Sequence, residues 1–466
     1  MDTNTEYLNL AFEAWCAGAE LRSRRNRYKL YTYGRQWSDM VRHTDGRIME
    51  EGEIAALSGR RPLTNNMIRQ LVKCVIGNFR NTMAERGTDS CVNRSVAERN
   101  CLNELDCRML EEFLISGCAI QRIVSEKRMA GNGIWIDNVS PESFFVNRFT
   151  DPRGLDIELA GMLHSMSLRE VLIRFGGADA TKMRRLSEIF REVQPAPISG
   201  ATGNSTATSF FEAPDHRCRV IELWTLESRN ILKCHDADNA RYFIIPAGRR
   251  KDIARINTLR RRNGGEAINM VARTTMRWHC RYMAPSGEIL DEFDSPYSHG
   301  RHPFAVKFYP LTDGEVHSFV EDIIDQQRYI NRLITLMDHV MSVSAKGVLL
   351  FPIDQKPENM TWDDIGRKWA MCDGIIPYQR GYGEGEPKQI ISSGEQSGAY
   401  NLLNLQMQLF RQISGVSDAL QGHMPVHNTS AAMYDAQIRN SSIAILDILD
   451  SFNAFRRQRD EIIARI

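Results

Sequence analysis

The chain has 466 residues, of which 42% are hydrophobic and 25% are charged, as in an ordinary folded protein. This length suffices for two or three domains, or for one elongated body with subdomains. Its 59 basic and 58 acidic residues leave a net charge of +1. That balance argues against a monomer that wraps DNA with a broad basic surface, but not against a channel that confines a polymer by geometry.

The ten cysteines show no Cys-x-x-Cys pair and no zinc-finger spacing, so we predict reduced thiols in a cytoplasmic setting. The first six residues are polar and acidic and do not resemble a signal peptide. No run of about 18 apolar residues occurs, so we predict no transmembrane span.

The N-terminal part of the chain is predicted to be mostly helical. A helix with a basic second half is expected over residues 5–33. Another helix follows Thr64 or Asn65, either of which can cap it. A third helix is expected over residues 96–116.

The middle of the chain mixes strands and short helices. Residues 117–124 and 133–137 predict a β-hairpin, because the loop between them contains Gly and Asn. Short helices are expected at 168–175 and 183–190, and residues 194–204 are rich in Pro, Gly, Ser and Thr, which predicts a flexible insertion. Further strands are predicted at 218–226, 276–283, 289–293 and 304–309.

The strongest local basic patch lies among these strands. Arg249, Arg250 and Lys251 flank a short predicted helix on one side, and residues 260–262, all arginine, flank it on the other. This patch could contact nucleic acid or an acidic neighbouring subunit, or it could be a solvated helix face.

Residues 316–343 carry apolar side chains at helical spacing, which predicts an amphipathic helix. Thr312 with Glu315, or Ser318 with Glu321, has the spacing of a capping box at its start. The predicted apolar stripe consists of Val316, Phe319, Val320, Ile323, Ile330, Leu333, Ile334, Met337, Val340 and Met341.

Residues 346–395 predict a compact strand, helix and strand. Thr361 and Asp364 have capping-box spacing at the start of the helix, and the second strand is expected at 374–378. The glycine-rich run at 381–386 does not precede a helix, so we reject it as a phosphate-binding loop.

A further helix is predicted over residues 397–414, with an unusual polar side that has amides at a spacing of three or four residues and no acid. Amides release few counterions, so such a face would hold DNA only weakly, as a surface that lets DNA slide requires. The alternative is a plain solvated face. The predicted packing residues are Leu402, Leu403, Leu405, Leu409, Phe410 and Ile413, and the polar residues are Asn401, Asn404, Gln408, Arg411 and Gln412.

Residues 421–429 predict an exposed loop, because Gly422 and Pro425 end the preceding helix. His423 and His427 are four residues apart but have no evident third ligand, so we predict loop histidines and no metal site.

From residue 431 to Ile466 the chain has no Gly or Pro and keeps a helical apolar stripe. At 1.5 Å per residue this is roughly 50 Å of helix. The pattern ends without a capping residue, so we expect the natural protein to continue beyond Ile466.

No motif for catalysis is present: the Walker A, nucleophile-elbow, His-Glu-x-x-His and dinucleotide fingerprints are all missing. His299 and His302 form a pair without carboxylate or thiol neighbours in the sequence. We therefore predict no enzymatic activity, no cofactor and no metal.

The order of helix, small α/β excursion, helix, loop and long helix resembles the portal (head-to-tail connector) proteins of tailed bacteriophages, and in particular the larger portals of short-tailed phages. Four short sequence segments also resemble segments of portal proteins, and they lie at 31–37, 61–78, 319–352 and 414–432.

The resemblance implies an α+β, mainly helical fold, with an elongated portal-type subunit made of wing, stem, clip and long wing helix. It divides the chain as follows: 1–140, N-terminal helical wing; 141–311, α/β wing part; 312–345, first stem helix; 346–395, clip; 396–421, second stem helix; 422–429, tunnel loop; 430–466, long wing helix, truncated at its C-terminal end.

The resemblance also implies a ring, a dodecamer in the family, at the capsid vertex of the virion, assembled in the host cytoplasm. Double-stranded DNA would pass through it during packaging and ejection. Its implied partners are the large terminase subunit, tail adaptor proteins, and the major capsid and scaffolding proteins, with no membrane involved. The implied tunnel-lining residues are Asn401, Asn404, Gln408, Arg411, Gln412, Gln421, His423, His427 and Asn428, and the implied clip residues for terminase docking are Trp362, Asp363, Asp364, Arg367 and Lys368.

Two other classes of function remain open at this point. One is a metal-dependent DNA-processing enzyme of a mobile element that uses Asp322 and Asp325, although these carboxylates have no evident third partner. The other is a scaffold or adaptor protein from another position in a virion.

Overall fold

The computed structural model describes residues 3–86, 93–129, 131–191, 209–344, 348–370, 376–377, 387–390, 397–416 and 431–466. The fold is mixed, with 49% helix and 25% strand, so helix is the larger part, as predicted. The predicted insertion at 194–204 lies outside the described residues.

The helices of the described chain range from one turn to more than thirty residues. They are Thr3–Ala17 (α1), Ala19–Thr32 (α2), Glu51–Leu57 (α3), Met67–Arg86 (α4), Arg94–Arg99 (α5), Leu102–Ser116 (α6), Leu168–Val171 (α7), Ala180–Arg191 (α8), Arg250–Arg262 (α9), Glu321–Ser344 (α10), Trp362–Ala370 (α11), Ser397–Ser414 (α12) and Ala431–Ala464 (α13).

The strands pair in antiparallel fashion throughout. They are Met40–Arg42 (β1), Ile48–Glu50 (β2), Cys118–Arg128 (β3), Gly131–Asn138 (β4), Phe144–Val146 (β5), Leu159–Met166 (β6), Cys218–Asp236 (β7), Arg241–Pro246 (β8), Asn269–Met283 (β9), Ile289–Asp294 (β10), Phe304–Phe308 (β11), Pro310–Thr312 (β12), Glu315–Val316 (β13), Val348–Leu350 (β14) and Lys388–Ile390 (β15).

The largest sheet has the strand order β10-β9-β7-β6-β5, with β8 added to the far end of β7. A second sheet has the order β11-β3-β4, and three two-stranded pairs join β1 to β2, β12 to β13 and β14 to β15. The predicted hairpin at 117–137 is confirmed as β3 and β4.

The chain divides into two compact units. The first contains Met1–Asn26, Ile76–Ser318 and Leu446–Ile466, and the second contains Arg27–Val75 and Phe319–Ile445. Each unit therefore collects segments that are far apart in the sequence.

The large sheet of the first unit is buried on both faces. Along β7, Val220 and Trp224 pack into one hydrophobic cluster. The alternate residues Ile221 and Leu223 pack into a second cluster that also contains α1. Because side chains alternate between the faces of a strand, burial on both faces requires apolar residues in succession, and residues 220–226 of β7 are mostly apolar.

Residues 446–466 of α13 also belong to the first unit and are anchored there by aromatic and ionic contacts. Phe452 packs against Phe79 and Phe113, with ring centroids 5.5 and 5.7 Å apart. The carboxylate of Asp106, which is fully buried, accepts hydrogen bonds from Arg456, at 2.9 Å, and from the fully buried Arg459.

Two predicted helices of the first unit are interrupted. The helix expected over residues 5–33 breaks at Gly18, where an added Cβ would lie 2.8 Å from Nη1 of Arg22. Arg22 donates a 2.6 Å hydrogen bond to the carbonyl of Trp15, in the last turn of α1. The helix expected over 96–116 breaks at Cys101, which has a φ of 48°.

The helix expected over residues 316–343 begins at Glu321 instead. Of its predicted residues only Val316 lies in the hairpin of β12 and β13, and Leu311 and Asp313, which flank the proposed cap at Thr312, have φ values of 60° and 54°. These left-handed conformations end any helical path, so the proposed Thr312–Glu315 cap is wrong.

Of the strand expected at 374–378, only Ile376 and Pro377 lie among the described residues, and neither is in a strand. Within the described residues β14 pairs with Lys388–Ile390. In contrast, α12 has the predicted bounds, Ser397–Ser414, and α13 begins at the predicted Ala431.

We predict that Asp106→Ala destabilises the first unit by about 3 kcal/mol or more, because the fully buried Arg459 loses a counter-ion that burial makes necessary. Urea unfolding of the purified chain measures this. Asp450→Ala, which removes an exposed carboxylate from α13, is the control and should cost less than about 0.5 kcal/mol. Equal losses in the two variants would contradict the assigned role of Asp106.

Candidate functional site

The helix α10 turns a row of polar side chains toward the interior of the second unit. Gln327, Asn331 and Thr335 recur at intervals of four residues and are 0%, 1% and 3% exposed. Their oxygens accept hydrogen bonds from the backbone N–H groups of Met67, Asn65 and Leu63, at 3.0, 3.1 and 3.1 Å. The row therefore supplies side-chain acceptors to the backbone of residues 63–67.

The same side chains also donate. Nε2 of Gln327 donates to the carbonyl of Asn65 at 2.6 Å, and Nδ2 of Asn331 donates to the side-chain oxygen of Gln36 at 2.6 Å. Gln36 in turn donates to the carbonyl of Tyr31 at 2.9 Å. This network fixes the rotation of α10 about its axis, because turning the helix would leave several buried polar groups unsatisfied.

Ion pairs strengthen the same arrangement. The carboxylate of Glu51 forms ion pairs with the guanidinium groups of Arg328, at 2.7 Å, and Arg332. Asp39 accepts from Arg27 and from the hydroxyl of Tyr31, at 2.7 Å. Burial alone would raise the pKa of Asp39, but the hydrogen bonds from Arg27 and Tyr31 hold it below its usual value, so the carboxylate is charged at neutral pH.

Because the inner face of α10 is occupied in this way, apolar side chains remain on its outside. Tyr329, Leu336, Val340 and Met341 are exposed, and Leu336 retains 40% of its accessible surface. Val340 and Met341 were predicted to pack inward, so that part of the predicted stripe is wrong. The earlier part of the predicted stripe, from Val316 to Leu333, is buried, so helical periodicity located the packed side of α10 but not where the packing ends.

The helix α12 packs against α10 through a face that includes the buried Phe410. Leu405 and Ile413, which were predicted to belong to this face, are 50% and 45% exposed. The apolar surface of α12 is therefore wider than its contact with the second unit.

The predicted polar row of α12 lies on its exposed side. At about 100° per residue these side chains fall within one arc of the helix, opposite Phe410. The four amides make no hydrogen bond within the described part of the chain. The residues of the row are Asn401, Asn404, Gln408, Arg411 and Gln412.

The loop residues that were predicted to line a tunnel with this row are outside the described residues. They are Gln421, His423, His427 and Asn428. Their role stays a prediction.

The helix α11 carries the residues predicted for docking. The capping box is confirmed, because Asp364 N–H donates to Oγ1 of Thr361 at 3.2 Å and Thr361 N–H donates to Oδ2 of Asp364 at 3.1 Å. The Thr361 hydroxyl also donates to Oδ2 of Asp364, at 2.6 Å, and this bond, followed by the one from the Thr361 N–H, holds the pKa of Asp364 below its usual value. The helix is anchored by the buried Ile365.

The remaining docking candidates are accessible from solvent. Trp362, Asp363 and Arg367 are exposed, whereas Asp364 and Lys368 are half-buried. The ring of Trp362 contacts Phe351, with centroids 6.1 Å apart. An exposed tryptophan beside charges of both signs is suited to contact a protein partner.

A metal centre finds no support among the residues that the structure describes, since no group of three or more His, Cys, Asp or Glu side chains there could hold an ion. Asp322 and Asp325, the acids considered for a metal-dependent enzyme, are both exposed on α10. Among the described helices, none is both long and apolar enough to cross a bilayer.

A family model described as phage P22-like portal protein matches residues 105–466, which include α10, α11, α12 and α13. The chain belongs to the phage P22-like portal protein family. Such proteins are structural components of the head-to-tail connector of bacteriophages. A search of curated proteins found no match.

The match to the family model begins at residue 105, after the N-terminal segments that hydrogen-bond to α10. Residues 31–37 and 61–78, which resemble portal sequences, lie before residue 105. They include Gln36 and Asn65, which bind Asn331 directly. The inner polar row was not predicted from the sequence, although its spacing of four residues beside the apolar stripe is a signal that could have revealed it.

We predict that Asn331→Leu loosens segment 63–67, because it removes the acceptor of Asn65 N–H and the donor to Gln36. An unsatisfied buried group costs about 1–3 kcal/mol, so hydrogen exchange at these amides should accelerate about tenfold or more. The control is Asn404→Leu, the same change at an exposed position. Unchanged exchange in Asn331→Leu would contradict the role of the network.

Proposed function

We propose that this portal protein forms the ring at the capsid vertex through which double-stranded DNA is packaged and later ejected. The main support for this proposal is that α10 and α12 of the second unit pack together while their outer faces remain exposed in the single chain. One face is a row of amides and the others are apolar, which suits a helix pair that meets DNA on one side and neighbouring copies on another.

The amide row fits a passage for DNA better than a binding site for it. Amides can hydrogen-bond to phosphate or to the water around it, yet they displace few counterions, so the attraction stays weak. Arg411 is the only cation of the row. A surface of this kind can hydrogen-bond to DNA and its hydration water without binding the DNA tightly.

The exposed apolar residues fit contacts between adjacent copies. Large apolar side chains are exposed on both helices: Tyr329 and Leu336 on α10, and Leu405 and Ile413 on α12. Burial of such side chains at the centre of an interface is the usual source of its stability. The family resemblance supplies twelve as the number of copies.

The remaining segments of the chain are assigned to the other regions of a portal subunit. We assign residues 312–345 and 396–421 to the two stem helices, although helix begins only at Glu321. Residues 346–395 form the clip, and α11 docks the large terminase subunit during packaging and tail adaptors later. Residues 1–140, 141–311 and 430–466 form the wing, which meets the capsid and scaffolding proteins.

We predict that Gln408→Glu lowers the yield of DNA-filled heads at least tenfold while ring formation is unchanged, because each copy adds one carboxylate that repels phosphate. Gln406→Glu, the identical change on the same helix but outside the amide row, is the control and should have a smaller effect. Glu321→Gln, on α10, should also impair packaging less. Equal effects of the three variants would contradict the assignment of the lining.

We predict that Leu336→Asp and Leu405→Asp each shift the protein from rings toward single chains, because an interface that buries these side chains would then bury an unpaired charge. Electron microscopy and sedimentation of purified protein measure the ring fraction. Leu155→Asp, at an exposed leucine of the first unit, is the matched control. Rings at wild-type yield in both test variants would exclude α10 and α12 from the contact.

A further inference from the structure

A second surface, in the first unit, concentrates positive charge. Residues 229–276 contain eleven lysines and arginines and four acids, so this segment has a net charge of +7, whereas the whole chain has +1. The segment comprises the far half of β7, the strand β8, the helix α9 and the first half of β9. The charge of the protein is therefore strongly uneven along the chain.

One side of α9 is fixed to the sheet beneath it. Ile253 is buried with Leu232 and Cys234 of β7 in a small hydrophobic cluster. Asn257 donates to the carbonyl of Ile268 at 3.0 Å, and Arg260 forms a two-pronged ion pair with Asp236, at 2.6 and 2.7 Å. These contacts determine which face of α9 points away from the sheet.

The outward side of α9 carries five cations that form no ion pair with any described residue. All five are exposed, and at about 100° per residue they fall within an arc of about 140°. The nearest acid of the helix, Asp252, lies outside this arc and pairs with Arg249 at 3.9 Å. This cationic face consists of Arg250, Lys251, Arg255, Arg261 and Arg262.

The position of these cations is not explained by the stability of the helix. Arg261 and Arg262 complement the negative end of the helix dipole, but Arg250 and Lys251 lie at its positive end, where cations are unfavourable. Repulsion among five neighbouring cations adds to that cost. A ligand with negative charges would remove both costs.

The chemistry of the face fits a phosphate backbone rather than a protein. Between the cations lie only small residues, Ala254 and Thr258, and the hydroxyl of Thr258 is turned back to the carbonyl of Ala254 at 2.9 Å. The exposed apolar residues Ile256 and Leu259 fall outside the arc. A face with no large apolar side chain lacks the core of a protein interface.

The dimensions of the face fit duplex DNA. From Arg250 to Arg262 the helix rises about 18 Å. Along one strand of a duplex this distance contains about five phosphates, at about 3.4 Å each. Four of the five cations are arginines, whose forked donors match phosphate. No aromatic ring lies on the cationic face to stack with unpaired bases, which favours a duplex over a single strand.

We propose that the cationic face of α9 binds the phosphate backbone of duplex DNA, independently of base sequence and without threading a free DNA end through a ring. This binding does not depend on the amide row of α12. It gives the protein a second DNA contact with the opposite character, since one surface releases many counterions and the other releases few.

The test uses the purified full-length protein and a fluorescent closed circle of duplex DNA, which has no end to thread through a ring. Binding is measured between about 50 and 200 mM salt. If all five cations contact phosphate, the slope of log Kd against log salt is about 4 to 5. The variant Arg255→Gln/Arg262→Gln should lower this slope by about 2 and weaken binding at least tenfold at about 100 mM salt.

The matched control is Arg184→Gln/Arg191→Gln, which removes the same charge from exposed positions of α8 in the same unit. Arg255→Lys/Arg262→Lys should retain most of the binding. The proposal is overturned if closed circles do not bind, if both glutamine variants weaken binding equally, or if polyglutamate competes better than DNA. Gln408→Glu should bind circles normally, so a failure of the channel assignment is distinguishable from a failure of this one.

Discussion

The second unit depends on one constraint, which is that the backbone of residues 63–67 has no strand or helix to pair with. The N–H groups of Leu63, Asn65 and Met67 donate instead to the buried side chains of Thr335, Asn331 and Gln327 on α10. This requirement gives α10 a polar inner face. Apolar residues such as Leu336 are left outside, where a ring neighbour can use them.

In the first unit, two buried carboxylates are likewise paired with several partners each. Glu222 is fully buried in the largest sheet and is bonded by Arg122, at 3.2 Å, and by His164, at 2.7 Å. Burial would raise the pKa of Glu222, but Arg122 and His164 lower it well below its ordinary value. Asp106 holds Arg456 and Arg459 in the same way. In both units, buried polar groups with complete partners fix which surfaces face outward.

Sequence reasoning succeeded where a local signal decides the structure. The bounds of α12 and the capping box of Thr361 follow from periodicity and from side chains within one turn. It failed where distant residues decide. The cap proposed at Thr312 lies in the hairpin at 310–316, and β14 pairs with Lys388–Ile390, a partner that no local pattern encodes. The amide row was found in sequence, but its exposure required the position of Phe410.

The concentration of positive charge at residues 229–276 has a consequence for how the subunit approaches its surroundings. Since that segment has a charge of +7 and the chain a charge of +1, the remaining residues together have −6. The protein is thus nearly neutral in sum, yet a polyanion attracts residues 229–276 and repels the remaining residues taken together. Both effects act before any contact forms and are screened beyond about 10 Å in about 0.1 M salt.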